Sequence, residues 1–307
     1  MALANSLRSR YSLISTELVD IGHLRSEKTR LVFTKMQGCG NDYIYFDGFK
    51  QDIISPESLA VLLSDRHFGI GGDGVIAMMP SRVADAKMRM FNLDGSEGMM
   101  CGNAIRCMAK YLYESGTVRK TEMDIETRSG IKHIKLFLPA GKVTAARVDM
   151  GAAILEGERI PTTLKGNPVI DAPITVDGVE YRITCVSMGN PHCVIFVPQI
   201  NAIDLERIGP MLEYNPIFPE RANIEFVTVV GRTHIKMRVW ERGSGETWAC
   251  GTGACASAVA AVLHGFCPKD EDIRVDVKGG RLDVRYTDKT VYLTGDCEKV
   301  FEGVVEI

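Results

Sequence analysis

Two cysteines in this chain open similar local runs. Cys101 leads Cys101-Gly102-Asn103-Ala104 and follows Phe91-Asn92-Leu93-Asp94-Gly95-Ser96, while Cys250 leads Cys250-Gly251-Thr252-Gly253 and follows Glu241-Arg242-Gly243. Apolar residues at helical spacing begin just after each cysteine, which puts each thiol at a helix N-terminus. There the unpaired amides and the positive end of the helix dipole lower a thiol pKa and can grip a carboxylate. Glycine immediately after each sulfur lets the backbone approach a ligand with no Cβ in the way. Two such thiols facing one cleft suit one reaction in particular. One takes a proton from a tetrahedral carbon and the other returns one to the opposite face, inverting the centre. A substrate carboxylate lying between two helix dipoles would stabilise the carbanion-like transition state, with no metal or cofactor required.

A buried cysteine is more often an inert small hydrophobe. Cys39, Cys107, Cys185, Cys193, Cys255, Cys267 and Cys297 are assigned to that class. His192, in Gly189-Asn190-Pro191-His192, reads by itself as an ordinary strand-end histidine. No Cys-x-x-Cys pair occurs and the histidines are scattered, so the spacing argues against zinc.

The elements that must position these thiols are mostly strands. From Leu31 onward short alternating runs are broken by Gly and Asp, with expected strands at 31–36, 42–46, 75–79, 87–92, 123–127, 131–138 and 143–150. After a loop around Pro161 to Pro173 a second set follows at 174–176, 181–188, 193–197, 224–229, 235–240, 273–277, 282–286 and 291–293. Four helices are expected. Ser55 with Pro56 starts one carrying Leu59, Leu62 and Leu63; Asp204 caps another carrying Leu205, Ile208, Met211 and Leu212. The other two follow the cysteines, at Ala104–Tyr113 and Ala254–Leu263. The latter is apolar nearly all round, as for a helix covered on every side.

The chain repeats itself at an offset of 149 positions, the separation of Cys101 and Cys250. In that one register Gly40-Asn41 matches Gly189-Asn190, Ser55 matches Asp204, Met88-Arg89 matches Met237-Arg238, Glu97 matches Glu246 and Gly116 matches Gly265. Caps, glycines and a cysteine falling together without a gap indicate a duplication that yields two similar domains.

A length of 307 residues accommodates two domains, and a formal charge of −3 leaves no electrostatic footprint for nucleic acid or an anionic membrane. A small-molecule partner fits better. No window approaches 18 consecutive apolar residues and no secretory h-region opens the chain; nine cysteines, an odd number without framework spacing, suggest reduced thiols and a cytoplasmic setting. Residues 1–30 carry Ser6, Arg8, Ser9, Arg10, Ser12 and Ser15 before the first acidic residue, Glu17. That is a weak transit-peptide composition, so plastid import stands beside a poorly packed extension as an alternative.

From about Leu31 onward the chain resembles the diaminopimelate epimerases. Five motifs carry the resemblance: Gly38-Cys39-Gly40-Asn41-Asp42, Arg66-His67-Phe68-Gly69-Ile70-Gly71-Gly72-Asp73, Asn92 to Arg106 with Cys101, Gly189-Asn190-Pro191-His192, and Glu241 to Thr252 with Cys250. The resemblance implies an α+β fold of two pseudo-symmetric domains, each a mixed β-barrel around a central helix. Their expected spans are 31–150, with a tail at 296–307 returning to it, and 151–295, after an N-terminal extension at 1–30. It implies a cofactor-independent enzyme that interconverts LL- and meso-diaminopimelate for lysine and peptidoglycan precursors, and a homodimer. By the family's pattern Cys101 and Cys250 transfer the protons, and the amides of Gly102, Asn103, Gly251 and Thr252 hold the reacting carboxylate. Asn41, Asn92, Asn190, Asn223, Glu241 and Arg242 grip the rest of the substrate, Arg242 at the distal carboxylate, and His192 supports the reacting amino end. Two positions depart from the pattern: Gly74 stands where some members have a substrate-contacting Gln, and Cys39 where an apolar residue is usual. The rival readings are a proline racemase-like isomerase on the same fold, lacking the second amino-carboxylate grip, and a thiol redox protein exchanging a Cys101–Cys250 disulfide. A binding module gives no reason for a thiol in each half.

Overall fold

The computed structural model describes residues 29–307. The expectations for an N-terminal extension and an import segment fall almost wholly on residues outside that range. The first half runs β1 (Arg30–Gly38), β2 (Asn41–Asp47), α1 (Pro56–Leu63), β3 (Gly74–Met79), β4 (Ala86–Asn92), β5 (Glu97–Gly98), α2 (Gly102–Glu114), β6 (Glu122–Thr127), β7 (Gly130–Phe137) and β8 (Ala145–Gly151). The second runs β9 (Ala172–Val176), β10 (Val179–Ser187), β11 (Pro191–Phe196), α3 (Leu205–Glu213), β12 (Asn223–Gly231), β13 (His234–Glu241), β14 (Gly245–Glu246), α4 (Gly251–Leu263), β15 (Asp272–Val277), β16 (Gly280–Tyr286), β17 (Val291–Asp296) and β18 (Glu298–Glu306). The offset of 149 carries β1 onto β10 and α2 onto α4 residue for residue.

The pairing pattern repeats as well. In the first half β2–β3 and β4–β6 are parallel and β1–β2, β3–β4, β6–β7 and β7–β8 antiparallel. In the second β11–β12 and β13–β15 are parallel and β10–β11, β12–β13, β15–β16 and β16–β17 antiparallel. The halves join through antiparallel β8–β17. The outermost strand of each sheet is supplied differently: β9 pairs with β10, while β18, at the far end of the chain, crosses back to pair with β1 from Arg30↔Glu306 to Gln37↔Glu298.

Each half wraps its strands around one helix. α4 packs against β10, β11, β12, β13, β15, β16 and β17; its Gly, Ala and Ser side chains are small enough for strands to close in on all sides. α2 packs against β1, β2, β7, β8 and β17. Its two cations are buried too, and each is met by carbonyl oxygens. Lys110 Nζ donates to Val143 O (2.6 Å), and Arg106 donates to Gly102 O (3.1 Å) and Asp296 O (3.2 Å). That is how a helix with polar residues sits inside a barrel.

Some local expectations are corrected. Asp204 caps α3 by accepting from Arg207 N (3.3 Å), but Ser55 has φ 48°, in the left-handed region, and its side chain makes no cap bond; Pro56 alone sets that start. Leu62 and Met211, equivalent in the repeat, are exposed rather than core.

Candidate active site

Cys101 and Cys250 are the N-cap residues of α2 and α4. Each sulfur accepts from the third amide of its helix, Ala104 N at 3.5 Å and Gly253 N at 3.3 Å. The amides of Gly102, Asn103, Gly251 and Thr252, in the first turns, have no acceptor within their own helices. The two helix starts meet: Asn103 Nδ2 donates to Ala249 O (3.4 Å), and a Cβ on either Gly102 or Gly251 would come 3.0 Å from the same Leu293 Cδ2 of β17. The glycine after each sulfur therefore lets both helix ends pack onto one buried leucine, a reason beyond the ligand approach inferred from sequence.

These groups line one cleft of about 340 Å³. Of the residues singled out in sequence, Asn41, Asn92, Cys101, Gly102, Asn103, Asn190, Glu241, Arg242, Cys250, Gly251 and Thr252 all face it. A roomier depression of about 590 Å³ lies elsewhere, but its charged side chains pair with one another, as in Lys135–Glu122 and Lys120–Asp85, and it holds no thiol. Two expected residues stand behind the cleft. Asn223 is buried, with Nδ2 donating to Pro191 O (3.0 Å) and Oδ1 accepting from Arg242 N (3.0 Å), so it fixes the backbone that carries Arg242. His192 is fully buried between Glu225 Oε1 (2.7 Å from Nδ1) and Asn190 Oδ1 (3.1 Å from Nε2).

The two asparagines are held in opposite senses. Asn41 Nδ2 donates to Asp73 Oδ2 (2.6 Å), which turns Oδ1 toward Cys101; the Cys101 thiol donates to it at 3.2 Å. Asp73 is itself anchored by Arg66 (2.9 Å), which also pairs with Asp42 (2.6 Å), so the Arg66 to Asp73 motif serves to aim Asn41. Asn190 instead has its oxygen toward His192 and donates through Nδ2 to Thr252 Oγ1 (3.3 Å), which lies 3.5 Å from Cys250 Sγ. Sequence reading missed Asp73 and Glu225. The first lay inside a quoted motif; the second is one carboxylate in a buried strand, where an apolar residue is the norm.

The expectation of lowered thiol pKa values is overturned. Burial pushes Cys101 above the ordinary thiol value, outweighing the amides of Ala104 and Asn103 and the Arg106 charge that pull it down. Cys250, only 6% exposed, is raised further by burial, with Glu241 and Glu225 adding repulsion. Glu241 is also pushed up by burial, against a hydrogen bond from the Thr247 hydroxyl. A desolvated thiolate is scarce but strongly basic, which suits a weakly acidic Cα–H.

Both departures from the family pattern have local explanations. At Gly74 a Cβ would lie 2.1 Å from Phe91 O, so this backbone admits no side chain there. Cys39 sits at φ 54° in the turn before Asn41, its sulfur 3.4 Å from Asp296 Oδ1, and burial raises its pKa to about 12. It packs against the start of the tail. Among the described residues no helix is long and apolar enough to cross a membrane, and no group of three or more His, Cys, Asp or Glu could hold a metal.

Comparison with known proteins agrees with this geometry. Solved structures of a hydroxyproline epimerase from Agrobacterium vitis (TM-score 0.68, 14% identity, 91% of this chain and 93% of that one) and a PhzF-family phenazine biosynthesis protein from Bacillus anthracis (0.67, 17%, 91% and 100%) share the fold. A diaminopimelate epimerase of Desulfovibrio desulfuricans is 52% identical over 89% of this chain and 97% of its own length; one of Methanococcus maripaludis is 48% identical over 90% and 99%. The diaminopimelate epimerase family model matches residues 33–156 and 184–300, one block in each half. With both blocks matched and relatives about half identical along nearly all of its length, the chain belongs to the diaminopimelate epimerase family.

Proposed function

We propose that this chain interconverts LL- and meso-diaminopimelate by two-base inversion at the α-carbon, with Cys101 and Cys250 as the proton-transfer groups, on the route to lysine and peptidoglycan precursors. The observation that carries the reading is the pair of N-cap thiols on two helices whose first turns meet at one cleft. The reacting carboxylate lies across the amides of Gly102, Asn103, Gly251 and Thr252, where two dipoles and four N–H groups absorb the charge that develops as Cα–H breaks. One sulfur leaves with the proton while the other delivers its own to the opposite face, so the spent enzyme has the roles exchanged. Asn41, Asn92, Asn190, Glu241 and Arg242 hold the remainder of the substrate, with the Arg242 guanidinium the fitting partner for a second carboxylate. Asn223 and His192 act from behind by fixing Arg242 and Asn190. No cofactor enters this reading.

The domains in this reading are 31–150 with 296–307, and 151–295; the return of β18 to β1 and the two blocks of the family match support that division. A homodimer is supported by the family resemblance and by Val300, Phe301 and Val304, exposed on β18. A cytoplasmic setting is supported by nine free cysteines.

The test is epimerisation of LL-diaminopimelate by the parent and by Cys101→Ser and Cys250→Ser. Each variant is expected to lose about 10³-fold or more, the scale of positioned acid–base catalysis. Normal turnover in either removes the two-base assignment.

A further inference from the structure

Arg106, in the second turn of α2, is among the largest side chains that the molecule buries completely. A guanidinium keeps its charge inside a protein, and a buried charge is normally paired. Among the described residues no carboxylate pairs with this one. Its donors go to two carbonyl oxygens, Gly102 O (3.1 Å) and Asp296 O (3.2 Å), and Nη2 has no hydrogen-bond partner. The Asp296 carboxylate turns to the Cys39 amide instead (3.3 Å).

Two glycines make room for this cation. A Cβ on Gly295 would lie 2.8 Å from Nη2 and 2.9 Å from Cζ, and one on Gly38 would lie 3.1 Å from Nη2. At the positions related by the repeat, Arg106 becomes Cys255, Gly38 becomes Ser187 and Gly295 becomes Ala146. Where the arginine is absent, so are both glycines. The slot is therefore built for the guanidinium and belongs to one half only.

Arginine only donates and a carbonyl only accepts, so the bond to Gly102 O has a fixed direction. That oxygen belongs to the peptide unit whose other end is the Asn103 N–H, one of the amides at the start of α2 with no acceptor in its own helix. Polarising the carbonyl strengthens the N–H at the far end of the same peptide. The charges acting on the two sulfurs differ in the same sense. Cys101 meets Arg106 of α2 and Glu241 of β13, whereas Cys250 meets two carboxylates, Glu241 and Glu225 of β12.

We propose that Arg106 is a positioning residue for the reaction: it makes the start of α2 the stronger anion-holding side of the cleft and supplies the positive charge that the reacting carboxylate meets there. This rests on reading the amides of Gly102 and Asn103 as part of the carboxylate grip beside Cys101.

Iodoacetate and iodoacetamide test it as a pair. Both alkylate the same thiolate, so the ratio of their rates cancels how much thiolate is present and leaves the attraction for a carboxylate. Iodoacetate carries its carboxylate on the carbon that sulfur attacks, just as the substrate carries one on the carbon that loses its proton. The full chain without substrate is treated with an equal mixture, and the masses of the Cys101 peptide give the ratio, scaled to the same cysteine in the urea-unfolded chain. Parent Cys101 is expected to favour iodoacetate. Arg106→Met, which has neither charge nor donor, is expected to lower the scaled ratio about tenfold, the worth of one hydrogen bond with a charged partner. Arg106→Lys, which keeps the charge and a donor, is expected to keep most of the parent preference. An unchanged ratio in Arg106→Met overturns the proposal, and so does an equal fall in both variants, which would leave only the shape of the side chain at work. Should Arg106→Met not fold, Arg106→Met with Gly295→Ala, which refills the slot, is read in the same way. A parent Cys101 no more selective than in urea is fatal without any variant. Normal epimerisation by Cys101→Ser would instead remove the reading on which the proposal rests, so the two failures are distinct.

Discussion

The two halves of the molecule share a backbone and differ in what stands behind the sulfur. Around Cys101 an anion, Asp73, holds Asn41 with its oxygen toward the thiol, so the amide accepts S–H. Around Cys250 the buried His192 lies against Asn190 Oδ1, and Asn190 Nδ2 donates to Thr252 Oγ1 beside the sulfur. The buried charges differ too: Arg106 in α2 corresponds to Cys255 in α4, and Ile76 in β3 to Glu225 in β12. Inversion needs one thiol and one thiolate at the same moment, and two identical sites would favour neither assignment. Duplication supplies two helix starts at one cleft; divergence of a few buried side chains gives the two sulfurs different surroundings.

The comparison breaks most visibly at Gly253. Gly253→Ala puts a Cβ against Glu225 Oε1 and Cys250 Sγ, and kcat is expected to fall about 10²-fold, as for a reacting group displaced by about 1 Å. A parent-like kcat would mean that the tight space around Glu225 does not matter. A smaller effect of defined sign comes from the first half. Asp73→Asn frees the Asn41 amide to turn its NH2 to Cys101, so modification of Cys101 at pH 8 is expected to quicken about tenfold with Cys250 unchanged. Slowing of Cys101 would contradict the acceptor role of Asn41. The smallest effect is at the counterpart of Gly253. Ala104→Gly is expected to keep kcat within a factor of two or so and cost about 1 kcal/mol of stability, the helix penalty of glycine, readable by urea unfolding.

The sheet and both central helices were legible because their residues obey simple periods: β6, β8 and β17 alternate strictly, and α4 is apolar all round. β18 was not read as a strand, since Glu298–Glu306 has no fully buried residue and alternates only over its last few residues; its partner β1 makes it one. The thiols and the cleft-lining asparagines were readable from motif and repeat. Their supports were not. Asp73 and Glu225 act across 32 and 33 to 35 residues of chain, on Asn41, His192 and, through it, Asn190, and nothing local marks such contacts. The direction of the thiol shifts was misjudged for the same reason, because helix amides are visible in sequence and the depth of burial is not.

The claim that a separate sulfur serves each face of the α-carbon is tested most directly in heavy water. LL-diaminopimelate is converted briefly, well short of equilibrium, and the inverted centre of the product and the recovered substrate are examined by NMR. The expected result is deuterium at the inverted α-position of essentially every product molecule, with the recovered substrate still carrying protium there. Product that retains the substrate's own α-proton would mean that a single group carries it from one face to the other, and would contradict the two-sulfur account.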